Sequence, residues 1–454
     1  MAIAIVIILL VIGSLVFHFV SPWWFTPLAS NWDEIDDTIN ITLWVTGTVF
    51  VLVNFFLAYT IIRYRYKKNR RAHYEPENTK LEGILTIVTT IGVAGMLIPG
   101  LFVWAEFISV PEFSDEIEVI GQQWSWSYRL PGNDGVFGKT SIKLISEENP
   151  FGIDRKDLNS LDDILIASNE IHLPVNQPIK LNLHSKDVLH NFAVPQFRVK
   201  MDLVPGMISY LWFTPTKIGR FEILCEELCG MAHYTMRGHV VVDSEENYQL
   251  WWNNQKSFSQ LLSSPQGNSQ QGQRLFSACS SCHGLNGEGN KKFNAPQLAG
   301  MSKWYLTRQL NYYQHKIRGS DVNDPLGQQM QAMSSIIRDS DAIKNVVTYL
   351  SALPDRPNKA TIIGDSITGK KLFTNCAYCH GDQGQGNYST HAPKLYNQHD
   401  WYLKRQLLNY QQGIRGSHPQ DLYGHQMQLM SKTLHNEQAI DDVISYINSL
   451  NKGR

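Results

Sequence analysis

Hydrophobic positions along this chain follow three patterns in turn, and each predicts a different kind of element. Residues 39–62 form an uncharged apolar stretch, and residues 84–105 form a second. At about 1.5 Å per residue each is long enough to cross a hydrocarbon core of roughly 30 Å as a helix. Between them lies a basic run from Arg63 to Arg71. An excess of Lys and Arg stays on the cytoplasmic side, so the pair predicts a hairpin with both outer ends in the opposite compartment. Everything after about residue 108 is then external. Residues 1–20 are apolar as well. No positive charge precedes them and bulky residues follow (Pro22, Trp23, Trp24, Phe25), although Leu28-Ala29-Ser30 could be cut. A retained third span with its N-terminus inside is favoured over a cleaved signal. The acidic loop Asp33, Glu34, Asp36 and Asp37 then lies outside, and Trp23, Trp24 and Trp104 fit interfacial anchors.

From about residue 115 to 245 the pattern becomes short alternating runs broken by Gly, Pro and Asn. The runs are Glu116 to Ile120, Trp124 to Tyr128, Ile179 to Leu183, Ile208 to Phe213, Gly219 to Leu224 and Gly238 to Val242. This predicts an antiparallel β-sandwich or barrel. Residues 133–168 read as an inserted surface segment, and 250–270, rich in Asn, Gln, Ser, Pro and Gly, as a linker. The chain then repeats itself at a constant offset of 97 residues. Cys279, Cys282 and His283 return as Cys376, Cys379 and His380, Trp304 as Trp401, Arg308-Gln309-Leu310 as Arg405-Gln406-Leu407, Ile317 to Ser320 as Ile414 to Ser417, and Met330 and Met333 as Met427 and Met430. Two copies of one helical unit follow, each short for its own apolar core, so a bulky bound group is expected to complete that core. The organisation expected is a membrane region (1–110), an all-β domain (111–248), a linker (249–268) and two all-α domains (269–355 and 366–452).

Charge changes this picture little. A formal net charge of -1 over 454 residues gives no reason to expect nucleic acid or a strongly acidic substrate. The six cysteines change it more, because they fall in three close pairs: Cys225 with Cys229, Cys279 with Cys282, and Cys376 with Cys379. Three disulfides would be the ordinary reading of an exported chain. The neighbours point elsewhere. Cys279-Ser-Ser-Cys282-His283 and Cys376-Ala-Tyr-Cys379-His380 are both C-x-x-C-H, a pattern for covalent c-type heme: two thiols for the vinyl groups and a His for the iron. A redox cysteine pair followed by a chance histidine is the alternative, and finding it twice in a duplicated unit weakens that alternative. Glycines follow each motif (Gly284, Gly287, Gly289 and Gly381, Gly384, Gly386), where the backbone would pass close to a ring edge. A soft sixth ligand would come from one of Met330 and Met333 and one of Met427 and Met430, the other serving as core packing.

The densest cluster is Cys225-Glu-Glu227-Leu-Cys229-Gly-Met-Ala-His233-Tyr-Thr-Met236. Two thiolates, an imidazole and a thioether are soft donors suited to copper. Structural zinc is the alternative for two Cys and a His, but Met236 would add nothing to it. His190 is the best further donor upstream, while His172, His184 and His239 read as ordinary sheet or surface residues.

Residues 225–236 resemble the binuclear copper signature C-x-E-x-C-G-x-x-H-x-x-M of cytochrome c oxidase subunit II. The resemblance implies a cupredoxin-like Greek-key domain holding two copper ions on His190, Cys225, Cys229, His233, Met236 and the Glu227 carbonyl. It also implies a magnesium or manganese site that uses the Glu227 carboxylate against subunit I, with Asp202 near the same interface. Gly121-Gln-Gln-Trp124-Ser-Trp126-Ser-Tyr128 is similar to the family's aromatic run, whose first tryptophan, here Trp124, admits the electron. The family has His after that glycine, whereas Gln122 stands here. Glu82 matches a glutamate at the mouth of the family's proton channel; an interfacial acid at a helix start needs no such role. The tail resembles the small c-type cytochromes, in which a hydrophobic residue follows the ligating Met by seven positions. Met330 with Ile337 and Met427 with Leu434 fit that spacing. The whole resembles caa-type oxidases of bacteria, apart from the additional first span.

All six cysteines are then assigned, two to copper and two to each heme. The function implied is electron transfer from a donor (cytochrome c or a cytochrome bc complex) through two hemes c and the copper pair. The acceptor is a catalytic subunit I that reduces oxygen, with subunit III beside it. The setting is the bacterial inner membrane, with copper and hemes on the periplasmic face. This chain has no multi-histidine membrane site of its own for oxygen. Alternatives are the copper subunit of a related nitric oxide reductase and a membrane-anchored diheme relay.

Overall fold

The structure is a computed structural model and describes residues 2–450, apart from 22–24, 69, 72–75, 146–148, 150, 231–232, 264–266 and 389. Three helices open the chain: α1 Ala2–Val20, α2 Asp33–Arg63 and α3 Thr79–Phe107. Each is long and apolar enough to cross a membrane, and their side chains lie almost wholly exposed. That surface is stable only in lipid. The helices overrun the apolar stretches, because α2 begins in the acidic loop. Asp33, Glu34 and Asp36 occupy its first turn, where the helix dipole favours negative charge. Trp104 is exposed, as an interfacial anchor would be, whereas Trp23 and Trp24 lie outside the described residues.

Both outer ends of the α2–α3 hairpin meet the β domain. Asp36 accepts from Arg198 Nε at 2.6 Å and Nη2 at 2.8 Å. Trp32, buried between the two, donates to the Trp212 carbonyl at 3.1 Å, and Trp212 donates in turn to the Glu106 carbonyl at 3.3 Å. Tyr210 adds a hydrogen bond to the Ile108 carbonyl at 3.1 Å. The acidic loop is therefore more than a tolerated external segment, since one of its carboxylates clamps the domain to the membrane helices.

Among the described residues ten strands follow: β1 Asp115–Gln122, β2 Ser125–Leu130, β3 Ile164–Ile166, β4 Glu170–Pro174, β5 Ile179–Ser185, β6 His190–Val194, β7 Val199–Leu203, β8 Ser209–Phe213, β9 Gly219–Leu224 and β10 Arg237–Asp243. They form two five-stranded sheets, ordered β3-β2-β1-β5-β8 and β4-β10-β9-β6-β7. The sheets face each other over a core that includes Val119, Trp126, Tyr128, Leu183, Phe192, Phe213 and Ile223. The sandwich is the expected class, but it is mixed rather than antiparallel: β1 pairs with β5 in parallel, and β10 with β4 in parallel. A parallel pair needs a crossover, and the chain makes one by visiting the second sheet at β4 before returning as β5. Alternation does not reveal β6, because all five of its residues are buried.

Residues expected as an insertion and a linker are partly built into the sandwich. Phe258, at the start of a short helix (α5, Phe258–Ser263), packs with Ile120, Phe151 and Ile153 in a small core of its own. Trp251, on helix α4 (Glu245–Asn253), stacks on His172 with ring centroids 4.9 Å apart. The apolar side chains override the polar composition of this stretch.

The tail contains two four-helix units. The first has α6 Ser269–His283, α7 Lys303–Gln314, α8 Pro325–Ser334 and α9 Ser340–Ala352; the second has α10 Ser366–His380, α11 Asp400–Gln411, α12 Leu422–Ser431 and α13 Glu437–Ser449. First and last helices cross tightly in each. A Cβ on Gly272 or Gly369 would lie within about 2 Å of the carbonyl oxygens of Asn345 and Asp442, so only glycine permits the crossing.

Inside the sandwich, Arg129 serves two carboxylates, Glu118 at 2.7 Å and Asp163 at 2.9 Å. Burial pushes the Asp163 carboxyl up to about 6, against the pull of Arg129. The unfolded carboxyl releases its proton near 3.8 and the folded one near 6. Its contribution to stability is thus complete below pH 4 and lost as pH rises through 6, a change on the order of 2–3 kcal/mol. Asp163→Asn is expected to remove that slope. Thermal unfolding of both proteins across pH 4–7 checks it, and equal slopes would count against the assignment.

Candidate copper centre and heme cradles

Strands β6 and β9 and the loop to β10 bring the copper candidates together at one end of the sandwich. His190 opens β6, Cys225 follows β9, and Met236 precedes β10, so sheet pairing fixes their backbone positions. His190, Cys225 and Cys229 are all buried, with one donor atom from each lying within 4.8 Å of the others. The two sulfurs stand 3.7 Å apart, not bonded. Cys229 Sγ also lies 3.5 Å from His233 Nδ1 and 3.9 Å from Met236 Sδ, and Cys225 Sγ lies 3.3 Å from the Glu227 carbonyl oxygen. All six sequence-predicted donors therefore converge.

The electrostatics suit a cation. The contact with Cys229, and a second with His190, hold the Cys225 thiol well below the usual range, while the same contact and burial push the Cys229 thiol up. Burial disfavours a charged His190, but Asp187 and Cys225 outweigh it and raise its pKa. His190 Nε2 is tied to Asp187 Oδ1 at 2.7 Å, which leaves Nδ1 buried without a hydrogen-bond partner. A ligating histidine commonly has its second nitrogen held by a carboxylate in this way.

Trp124 is 3 % exposed and lies directly behind the cluster. Its Nε1 donates to the Cys229 carbonyl at 3.3 Å, and Gln123 Nε2 donates to the same oxygen at 2.8 Å. Gly230 makes this possible: with φ at +122°, a Cβ there would meet Trp124 Cζ2 at 3.1 Å. Asp187 binds this segment too, accepting from the Gln123 backbone N–H at 2.6 Å. Asp202 sits on β7 and accepts from Asn191 at 2.6 Å, one residue from His190. Glu82 is exposed in the first turn of α3, far along the chain from the cluster.

In the tail, each C-x-x-C-H closes a helix, so the two thiols share one face and the histidine follows at the end. His283 Nδ1 lies 2.9 Å from the Pro296 carbonyl, and His380 Nδ1 lies 2.7 Å from the Pro393 carbonyl. The ring nitrogen Nδ1 donates there, and Nε2 is left to face the interior. Burial lowers both histidine pKa values and keeps the rings neutral, as an iron ligand requires. Burial pushes the Cys376 thiol up to about 11 and the Cys379 thiol to about 12. These sulfurs sit in apolar walls, unlike Cys225, whose thiol is held down by its neighbours.

A continuous cavity of about 2710 Å³, its open mouth included, is lined by His283, Met330 and Met333 from one unit and His380, Met427 and Met430 from the other. At its centre the units meet across a local two-fold. Arg318 donates to Gln309 of its own unit and to Tyr402 and Gln406 of the other; Arg415 donates to Gln406, and across to Tyr305 and Gln309. Both arginines are buried, neither has an ion-pair partner among the described residues, and the Nε of each is unpartnered. Two buried guanidinium charges with only neutral partners fit a ligand that brings its own anions, as the carboxylates of heme would.

Sequence reasoning did not assign Asp187, Arg318, Arg415, Tyr378 or Gln426. Both arginines stand in the repeated Ile-Arg-Gly-Ser, and a long charged residue kept at the same repeat position was the available signal. Asp187 precedes His190 by three residues, a spacing that carries no signal without the β5–β6 turn.

A model of the cytochrome C oxidase subunit II periplasmic domain matches residues 116–244, and the cytochrome c family matches 269–354 and 366–451. Alternative cytochrome c oxidase subunit 2 of Bradyrhizobium diazoefficiens is 52% identical over 261 residues, covering 58% of this chain and 94% of that protein. Cytochrome c oxidase subunit 2 of Cereibacter sphaeroides is 29% identical over 250 residues, covering 53% and 80%. Among solved structures, the periplasmic domain of subunit II of cytochrome oxidase from Bradyrhizobium japonicum shares 30% identity with a TM-score of 0.24, covering 32% of this chain and 95% of that chain. Reduced cytochrome c4 from Pseudomonas stutzeri shares 26% identity with a TM-score of 0.34, covering 41% and 100%.

Two outcomes are expected from this geometry. Asp187→Ala frees the His190 ring and should weaken copper retention by roughly 10–100-fold, read as copper remaining after dialysis against a graded chelator. Arg318→Gln removes a buried positive charge and should lower the heme midpoint potentials, by about 60 mV for each 1.4 kcal/mol lost, read by spectroelectrochemical titration.

Proposed function

The chain belongs to the cytochrome c oxidase subunit II family and is a membrane-anchored part of a heme-copper terminal oxidase; from that premise we propose the route that electrons take through it. Its cytochrome domains imply heme and its β domain implies copper. When bound, two hemes c and a binuclear copper centre supply one-electron carriers between an external donor and the oxygen-reducing subunit I. The convergence of His190, Cys225 and Cys229 in a buried cluster directly behind Trp124 is the observation that carries this reading.

In this reading His190, Cys225, Cys229, His233, Met236 and the Glu227 carbonyl hold two copper ions. Cys279, Cys282, His283 and Met330 would hold one heme, and Cys376, Cys379, His380 and Met427 the other. The half-buried position of Met330 against its own core supports it over the exposed Met333. Met430 packs against the sandwich, which favours Met427 for the second heme. The role of the protein is to orient and to exclude water: rigid, buried ligands keep rearrangement small when one electron arrives or leaves. Asp187 links the two ends of the step, since it holds the copper-binding ring of His190 and the backbone beside Trp124.

The Glu227 carboxylate, with Asp202 close to the same face, would hold a magnesium or manganese ion against subunit I. Glu82 would sit at the mouth of a proton channel in that subunit, consistent with its place at the exposed start of α3. The hairpin charge pattern supports a bacterial inner membrane setting, with the copper and heme domains on the periplasmic side, subunit III in the assembly, and cytochrome c or a cytochrome bc complex as donor.

Metal analysis of the purified complex tests the proposal. Two coppers and two covalent hemes are expected in this chain, with oxygen uptake by the complex. Cys225→Ser should abolish copper binding and oxygen uptake while both hemes remain attached. A Cys225–Cys229 disulfide without metal in the native assembly would overturn it.

A further inference from the structure

The two heme units are copies of one sequence, but they stand differently towards the sandwich. We infer that the second unit, not the first, is the one that delivers electrons to the copper, and that it does so by occupying the Trp124 face itself. This rests on the route proposed above. Gln426 Nε2, on α12, donates to the Trp124 carbonyl at 2.7 Å. Tyr378, between the two thiols of the second heme motif, meets the Trp124 ring edge-on with centroids 6.4 Å apart. Cys379 and Met430 pack against the same core as Trp124, and Trp124 lines the heme cavity. On the other side, Trp124 Nε1 bonds to the carbonyl of Cys229. The chain thus runs from a heme-bearing cysteine helix to a copper-bearing loop through one indole.

The first unit offers a built-in comparison. At the offset of 97 residues, Tyr378 corresponds to Ser281, Gln426 to Gln329 and Met430 to Met333. Gln329 and Met333 are exposed where Gln426 and Met430 are half-buried, while Tyr378, like Ser281, keeps part of its surface in water at 54% exposure. The two positions of α12 that meet the sandwich in one copy are therefore open to solvent in the other. A freely diffusing donor has no access to Trp124, which is 3 % exposed, but it does have access to the open face of the first unit. The order is donor, first heme, second heme, copper. In the last step one electron leaves the heme of the second unit and is taken up by the copper centre; no bond is made or broken and no proton moves.

The test uses the complete oxidase, photoreduced by a soluble sensitiser in a single turnover, with the heme and copper bands followed separately. Tyr378→Ser with Gln426→Leu gives the second motif the residue that the first already carries at the tyrosine position, so covalent attachment should persist. Copper reduction should slow by roughly tenfold or more in this variant while exchange between the hemes is unchanged. Ser281→Ala with Gln329→Leu, the matching pair in the first unit, should leave copper reduction within about twofold. Hydroxyl-radical footprinting, which is independent of turnover, should show Trp124 protected in the parent and in the first-unit variant, and oxidised in the second-unit variant. Equal rates in the parent and the second-unit variant, or slowing by the first-unit pair as large as that by the second, would overturn the order. Absence of any heme-to-copper transfer in the parent would instead overturn the proposed route.

Discussion

One residue joins the two chemistries of this molecule. The Cys229 sulfur faces Cys225, His233 and Met236, while its carbonyl accepts hydrogen bonds from Gln123 and Trp124. A buried set of sulfur and imidazole donors is costly unless a metal satisfies it, and it can be held only by a scaffold that does not relax. The sandwich provides that scaffold because His190 is set by the β6–β7 pairing, while Cys225 and Met236 flank the β9–β10 pair. Asp187 extends the constraint outwards by holding both His190 and the backbone beside Trp124. The metal candidates and the indole cannot shift independently.

The tail applies the same economy to a different ligand. Duplication yields two units whose buried arginines exchange hydrogen bonds across a local two-fold, each reaching the tyrosine and glutamine of its neighbour. Two like charges buried beside each other repel, and anions in the shared cavity would offset that repulsion. Symmetry ends at the outer faces, where one copy lies against the sandwich and the other faces water. Two copies of one module thus stand in unequal settings.

Anchoring follows from a small number of polar contacts at the membrane surface. Arg198 grips Asp36, and Trp32 and Trp212 pass hydrogen bonds between the helix ends and the sheet. These groups lie where the apolar helices leave lipid, a region in which charged and indole groups are stable. The β domain is thus held in a defined relation to the apolar helices.

Much of this was written into the sequence, because the features concerned are periodic or local. The membrane spans appear as long uncharged runs, the heme motifs as C-x-x-C-H, the duplication as a constant offset, and most of the copper donors as one twelve-residue segment. Six of the strands were visible by alternation, but β6 was not, since burial on every side removes the period that alternation depends on. The parallel pairing of β1 with β5 and of β10 with β4 lay beyond the sequence for a related reason: crossovers are decided by how two sheets cover one core. The polar stretch before the tail read as linker because composition averages over Phe258 and Trp251, whose burial fixes it in place. Tertiary structure alone decided the partners of Asp187, Arg318 and Arg415, and which heme unit covers Trp124. Those contacts join residues far apart in the chain, and the pairing of distant surfaces depends on shape and charge in three dimensions, which no local pattern encodes.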